Sequence, residues 1–466
     1  MCEEMNKTRI EAFAKIVGVE GLRTGAKEMA PFLKERRGLY EGSCLAVVAP
    51  ATTTQVSEVV RYCFEHDIPI TPQSGNTGLC GGAVPHGGIL LNLGRMNTIR
   101  DLDSINATMT VDAGCILEDL QVAAESENML FSLSAPSKKE CQIGGNISTN
   151  LGGTNVLKYG NTRDVVLGLE VVLPDGEIWH GLRALRKDNA GYDLKHLYIG
   201  AEGTLGVITA ATLKLYPAPK VQQTALVATG NIAELMEVFV SVRNHFAENL
   251  TGFEIISRNA INVVLEYDQD SEDPFTSSHA WYGLIELNST DSKLDLETPL
   301  DTVLEVSGFE YKIAKDETES AILWNIRNQI SAAQKIKGAS IKHDVSLPLN
   351  RLADFITKAT HLVEEKIPGV IVCSFGHAGD GNVHFNLTQP ENMDGEEFLG
   401  RWGEVNRLVH DVVDQMNGSI AAEHGVGQLK VGEMSRYKSS VELELMRKIK
   451  KTLDPKNICN PGKVIA

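Results

Sequence analysis

Paired cysteines are missing from this 466-residue chain. The eight that occur (Cys2, Cys44, Cys63, Cys80, Cys115, Cys141, Cys373 and Cys459) include no C-x-x-C and sit mostly in apolar or glycine-rich surroundings. That suits reduced thiols better than a disulfide framework. No run of 18 or more apolar residues occurs, so no segment reads as a bilayer-spanning helix. The N-terminus, MCEEMNKTRIEAFAKI, lacks an apolar stretch and carries early acids. It reads neither as a secretory signal nor as an Arg-rich transit peptide, and the expectation is a soluble, cytoplasmic, bacterial-type chain. Cations are scarce as well. Lys plus Arg is 44 against 61 Asp plus Glu, a net charge of −17. Such a balance argues against a nucleic acid or an anionic membrane as partner, and a small acidic ligand would need local cations. Low-complexity linkers and sequence repeats are also lacking. What is there is ordinary for globular protein, 42% hydrophobic and 23% charged.

Along the chain, residues 1–40 read as short helices with Phe13, Ile16 and Val17 on an apolar face. Short strands follow at 45–48, 68–70, 89–93 and 109–112. The first is followed by a Thr-capped helix through Val56, Val59, Val60 and Cys63. A hairpin around Pro174-Asp175-Gly176 and a long strand over 205–215 close this region before Pro217 and Pro219. Beyond it the order becomes strand, helix, strand, strand, helix, twice over. That pattern implies an antiparallel sheet with helices on one face, an α+β domain. The last helix places Val441, Leu445, Ile449 and Leu453 on one side, and the apolar tail NICNPGKVI reads as packed. The expected division is a helical segment 1–40, a first domain 41–219, a second 220–440, and a C-terminal helix and tail 441–466 that pack back on the first domain.

Three patches rich in small residues lie in the first domain. PQSGNTGLCGG (Pro72–Gly82) can aim successive backbone N–H groups at one anion, a nest that binds phosphate without net positive charge. It does not open a helix as a Rossmann fingerprint does, because the apolar strand from Ile89 comes next. CQIGGNISTNLGGTNVLKYGNTRD (Cys141–Asp164) and GAEGTLGVIT (Gly200–Thr209) carry similar residues. The first patch alone is equally a glycine-rich surface loop, but the three together fit one long ligand contacted along its length.

In the second domain, GHAGDGNVHFN (Gly376–Asn386) follows an apolar run from Val370 to Cys373. Its glycines allow a tight turn that brings His377 and His384 together. Forty residues on, AAEHGVG supplies Glu423 and His424. Two imidazoles and a carboxylate make a common catalytic zinc set with one position open, and His424 is then left to act as a base. The alternative is a pair of hydrogen-bonded histidines beside a turn. Arg327, on an apolar helix, and Lys342, opening a strand, either seek a ligand carboxylate or pair with one of the many acids.

These segments, in this order over nearly the whole chain, resemble the flavoprotein family with the vanillyl-alcohol-oxidase (PCMH-type) FAD domain, in its D-lactate and D-2-hydroxyglutarate dehydrogenase branch. RKDNAGYDLKHLYIG (Arg186–Gly200) leans toward the D-2-hydroxyglutarate members. The resemblance implies FAD contacts from Pro72, Gln73, Ser74, Gly75, Asn76, Thr77, Gly78, Leu79 and Gly82 in the first patch. It implies others from Pro136, then from Gly144, Gly145, Ser148, Thr149, Gly152, Gly153, Tyr159 and Gly160 in the second. Glu202, Gly203, Gly206, Val207 and Ile208 in the third, and Asn460 in the tail, complete the set. Asn76 stands where covalent members carry His, which implies noncovalent FAD; Cys141 is the residue through which a covalent link is the alternative. A divalent ion, zinc first, is implied at His377, His384 and Glu423, with His424 as base and Arg327, Ser331, Lys342, Asn386 and His424 on the substrate. Ser331 replaces a residue that is often Thr, so fine substrate preference is not carried over.

The implied reaction is oxidation of a D-2-hydroxy acid to the 2-oxo acid. D-2-hydroxyglutarate is the first choice, because two cations suit a dicarboxylate; D-lactate, D-malate and glycolate are the alternatives. An electron-transfer flavoprotein, a quinone or a cytochrome is the implied acceptor, and a homodimer is compatible. Two readings from other classes compete. A flavin-free zinc hydrolase leaves the glycine patches idle, and a non-enzymatic dinucleotide-binding module leaves the metal set idle.

Overall fold

The structure, a computed structural model, describes residues 2–465; Met1 and Ala466, at the ends of the expected terminal segments, and the side chains of Cys2 and Glu3 lie outside the described residues. No disulfide joins the described cysteines. No described helix is long and apolar enough to cross a membrane.

The chain divides into two units. The first comprises Met1–Gly152, Gly160–Ala218 and Glu423–Ala466, and the second Gly153–Tyr159 and Pro219–Ala422. Two expected boundaries shift as a result. The short stretch to Tyr159 belongs to the second unit, where the Lys158 ammonium donates to the Asn288 side chain and to its carbonyl. Residues 423–440, expected with the second domain, belong to the first, where the N–H groups of Gln428 and Leu429 donate to the Cys80 carbonyl.

In the first unit, strands Leu22–Arg23, Ala46–Val48, Ile89–Asn92 and Ile70–Gln73 lie side by side in that order, the last three parallel. The helix Thr53–Glu65 makes the crossover between two of them. Thr52 caps it by accepting the Gln55 N–H, and Val56, Val59, Val60 and Cys63 face the core. A second, antiparallel sheet runs Ile99–Asp103, Thr108–Asp112, Val207–Lys214, Val166–Val172, Ile178–Gly181. Val172 and Val207 share one apolar cluster with Val48, Ile70 and Leu91, so the two sheets close on a common core. The C-terminal tail joins it: Ile70 donates its N–H to Ile458 and accepts that of Asn460, both at 2.7 Å.

The final helix, Ser440–Leu453, departs from expectation. Val441, Leu445 and Ile449 face outward (65%, 55% and 38% exposed), and Leu443 is the residue it buries. Polar contacts hold the helix instead. The Lys450 ammonium donates to the carbonyls of Thr204 and Cys459 and pairs with the buried Asp454 at 2.6 Å.

The second unit is built on a seven-stranded antiparallel sheet in the order Glu310–Ile313, Val221–Thr229, Trp281–Ser289, Leu250–Ser257, Ile371–His377, Asn382–Thr388, Ser340–Ser346. The α+β class holds, but helices cover both faces rather than one. Arg258–Tyr267 and Glu317–Lys337 pack against Leu226, Ile256, Tyr282, Leu284 and Phe375. On the other face, Phe239 of Ile232–Phe246 meets Phe253, and Phe355 of Leu352–Lys366 meets Phe385. The reason is in the strands. Leu250–Ser257 and Asn382–Thr388 are buried at every position, so neither face is left for water.

Candidate active site

Successive side chains of a strand point to opposite faces, so the antiparallel register fixes which residues share one. Lys342 lies opposite Asn386, which lies opposite Cys373; Asp344 lies opposite His384, which lies opposite Phe375; His377 lies opposite Glu254. All of these therefore stand on one face of the second unit's sheet, the face covered by the helix Glu317–Lys337. The expected hairpin forms between Ile371–His377 and Asn382–Thr388, through a short 3-10 turn and Gly381 at φ +87°. A Cβ at Gly379 would come within 2.6 Å of the end of the Leu157 side chain, which would have to shift. The turn brings the two imidazoles to 5.5 Å between ring centroids.

Glu254 organises this face, and the sequence reading missed it. One carboxylate oxygen lies 2.5 Å from His377 Nδ1, and the other accepts Arg327 Nε–H at 2.6 Å. The side chain is 1% exposed. Burial pushes this carboxyl up, but the facing charges of His377 and Arg327 and their hydrogen bonds outweigh it and hold it at about 2. An ionised carboxylate only accepts, so His377 donates to it through Nδ1, and Nε2 is the ring nitrogen on the opposite side from Glu254. Arg327 also lies over the Phe375 ring, 4.9 Å from its centroid. Asp344, likewise missed, lies 3.7 Å from His384 Nδ1 and accepts an amide hydrogen from Asn382 at 2.9 Å. Asn386 donates to the buried Gln334 at 2.8 Å. Lys342 is half-buried, and Ser331, one turn beyond Arg327, is exposed. The signal for Glu254 in the sequence is a single acid inside a largely apolar strand; Asp344 stands beside Lys342 and His343 in a polar strand and has none.

This set suits a divalent cation. Imidazole and carboxylate donors share one face, and His377 has the carboxylate partner that metal-binding histidines usually carry on the opposite ring nitrogen. Glu423 and His424 belong to the first unit and lie 3.7 Å apart there, His424 29% and Glu423 13% exposed.

In the first unit, Glu202 ties the third patch to the EHGVG segment. Its oxygens accept the N–H groups of Val426 at 2.7 Å and Gly427 at 2.8 Å, and Asn460 donates to both the Glu202 and Gly82 carbonyls. Burial pushes its carboxyl up, opposed by those two donors and by Lys430 and Lys463. Burial in turn brings Lys463 down to about 8. Glycines within the patches have different reasons. A Cβ at Gly75 would come within 2.2 Å of the Glu140 carbonyl, and one at Gly144 within 2.7 Å of Ala113, so those two serve packing. Gly78 is exposed, and a Cβ there would meet no protein atom within 4 Å. Nothing in the fold demands glycine at that position, and the space beside it is open, which is compatible with a phosphate-binding loop. Asn76 is left-handed at φ +51° and donates to the Lys34 carbonyl. Gly144 and Gly145 lie in the helix Ile143–Thr149, and the Ser148 and Thr149 hydroxyls donate back to their carbonyls within it. Tyr159 lies in the second unit, its hydroxyl 3.4 Å from Asn288, and Pro136 is exposed.

A parallel-stranded first sheet beside an antiparallel one, with glycine patches at strand ends, and a separate antiparallel cap are the architecture of a flavoprotein oxidoreductase. Comparison with known proteins agrees. The FAD linked oxidases' C-terminal domain matches residues 218–464, and the FAD binding domain matches 44–181. D-2-hydroxyglutarate–pyruvate transhydrogenase of Saccharomyces cerevisiae is 35% identical over 454 residues, 94% of this chain and 90% of that one. The mitochondrial D-2-hydroxyglutarate dehydrogenase of Danio rerio is 37% identical over 430 residues, 91% and 79% of the two chains. The solved structure of p-cresol methylhydroxylase superposes with a TM-score of 0.80 over 99% of this chain and 97% of that one, at 20% identity, a likeness of fold. This chain belongs to the FAD linked oxidases, in the vanillyl-alcohol-oxidase-type flavoprotein family, close to its D-2-hydroxyglutarate and D-lactate dehydrogenase branch. It is an FAD-linked oxidoreductase, which displaces the flavin-free hydrolase and the non-enzymatic module.

The cytoplasmic expectation does not hold. Relatives from Danio rerio, Oryza sativa, Arabidopsis thaliana, Bos taurus and Rattus norvegicus, matched over 91% or more of this chain, are named as mitochondrial. A missing signal pattern is no positive evidence for a compartment.

Proposed function

We propose that the chain oxidises D-2-hydroxyglutarate to 2-oxoglutarate, with D-lactate, D-malate and glycolate as poorer substrates. The observation that carries this reading is the pairing of two cations with one sheet face. Lys342 stands in register with Asn386, and Arg327 reaches the same face from the covering helix. Glu254 takes the Nε edge of Arg327, which leaves the terminal edge of the guanidinium as a fork for a carboxylate. One cation for each carboxylate distinguishes a dicarboxylate from lactate. Proteins named for D-2-hydroxyglutarate, similar over nearly the whole chain, support it.

FAD, when bound, supplies the acceptor for the hydride of the substrate carbon. Its loop residues are those of the three patches, held noncovalently. Asn76 is no nucleophile, and Cys141 is a buried thiol whose pKa burial pushes up and whose sulfur receives the Asn146 amide. A divalent cation, zinc first, held by His377, His384 and Glu423, would supply a Lewis acid at the substrate hydroxyl. His424 takes the hydroxyl proton, a role typically worth about 10²–10⁴-fold in rate. Asn386 and Lys342 hold and orient the acid.

The test is a panel of D-2-hydroxyglutarate, D-lactate, D-malate and glycolate with one artificial acceptor and the FAD-loaded protein. The highest kcat/KM is expected for D-2-hydroxyglutarate. Equal or better turnover of D-lactate would overturn the dicarboxylate reading.

A further inference from the structure

One buried carboxylate touches both halves of the proposed substrate machinery. Glu254 stands opposite His377 in the strand register, so the contact is set by backbone pairing and not by a flexible reach. Its two oxygens are divided between His377 Nδ1 at 2.5 Å and Arg327 Nε at 2.6 Å, and the guanidinium is further pinned over Phe375. A simple salt bridge would need only one of these partners.

We propose that Glu254 is a positioning residue that acts through both neighbours: it fixes the His377 tautomer with Nε2 as the metal-binding nitrogen, and it fixes the edge of Arg327 offered to the substrate. This rests on the reading of His377 as a metal ligand. The residue touches neither metal nor substrate. Its removal should therefore be felt in metal affinity and substrate KM, with the flavin unaffected.

Glu254→Gln makes the distinction chemically. An amide keeps one acceptor oxygen and introduces an NH2 donor. With the oxygen on Arg327, the NH2 faces His377 Nδ1 and favours the tautomer that has its proton on Nε2. That tautomer cannot bind a metal through Nε2 without losing a proton.

The experiment is competition for Zn2+ between a chromogenic chelator and FAD-loaded protein, comparing the unchanged chain with Glu254→Gln, Glu254→Asp, Glu286→Gln and His377→Ala. Removing such an outer partner typically weakens metal binding about 10–100-fold. That loss is expected for Glu254→Gln, with the FAD-to-protein ratio unchanged and KM for the 2-hydroxy acid raised. Glu254→Asp, which keeps the charge, should lose less. Glu286→Gln, which changes a half-buried carboxyl on the same sheet with other partners, should lose nothing. Zn2+ affinity of Glu254→Gln within about twofold of the unchanged chain, beside a clear loss in His377→Ala, overturns this proposal alone. Equal losses in Glu254→Gln and Glu286→Gln overturn it too, since the effect is then general damage to the sheet. Unchanged affinity in His377→Ala overturns the metal reading and this inference with it. Should Glu254→Gln fail to retain FAD, Glu254→Asp decides: unchanged Zn2+ affinity and unchanged KM overturn the proposal, and an intermediate loss supports it.

Discussion

Glu202 accepts the Gly427 N–H at 2.8 Å and the Val426 N–H at 2.7 Å, so one buried carboxylate fixes the backbone that follows His424. The residue sits at φ +51°, a left-handed conformation uncommon for Glu, which the surrounding hydrogen bonds hold in place. Glu202→Gln replaces one acceptor with a donor that faces an N–H. Leaving a buried donor unmet costs about 1–3 kcal/mol. The expected outcome is a lower Tm together with a lower kcat, because the loop carrying the proposed base, His424, loosens. Calorimetry and steady-state rates on one preparation check it, and an unchanged Tm refutes it.

Two glycines of one loop should respond in opposite ways. Gly75→Ala forces a Cβ against the Glu140 carbonyl, so it destabilises the protein with or without flavin. Gly78→Ala meets no protein atom, so the flavin-free protein keeps its Tm. If the loop cradles the FAD phosphates, Gly78→Ala weakens FAD binding in spite of that. Thermal unfolding of flavin-free protein and titration with FAD separate the two. FAD affinity equal to that of the unchanged chain in Gly78→Ala would remove Gly78 from the cofactor site.

The elements that were readable in the sequence are those whose signal is local. Thr52 ahead of an apolar helical repeat marks a cap, and Gly376–Asn386 marks a turn between two strands; both form. What escaped depends on pairing across distance. Glu254 lies more than a hundred residues from His377, and only the sheet register makes them neighbours. The helices on both faces were missed for a related reason, since a strand buried on both sides has no alternation to read. The last helix misled in the opposite direction. Val441, Leu445 and Ile449 keep helical spacing yet face outward, because Lys450 and the Ser439–Glu442 capping box anchor the helix without them.

His424→Ala should retain FAD and metal but lose turnover, by about 10²–10⁴-fold for a general base. Chelation of the metal should likewise abolish turnover while the flavin absorbance persists. The two differ in reversibility, since added Zn2+ restores the chelated protein and leaves the variant inactive. Normal oxidation of 2-hydroxy acids by His424→Ala shows that the base lies elsewhere.

Glu286 gives stability a pH dependence of definite sign. Burial between the sheet and the helix Glu317–Lys337 raises its carboxyl to about 7, although Trp324 Nε1 and the Thr224 hydroxyl each donate to it at 2.8 Å. In the unfolded chain the group titrates near its ordinary 4.5. Below that value both states are protonated, and above about 7 both are ionised. Between the two, the folded state keeps a proton that the unfolded state has lost. This group's contribution to stability therefore falls as pH rises through the window, and the loss is complete above it. Glu286→Gln keeps an acceptor oxygen for both donors and has no charge to bury. Its Tm relative to the unchanged chain should thus climb between pH 4.5 and pH 7 and level off beyond. A difference that stays constant across that range means that Glu286 ionises in the folded protein as it does in the unfolded one.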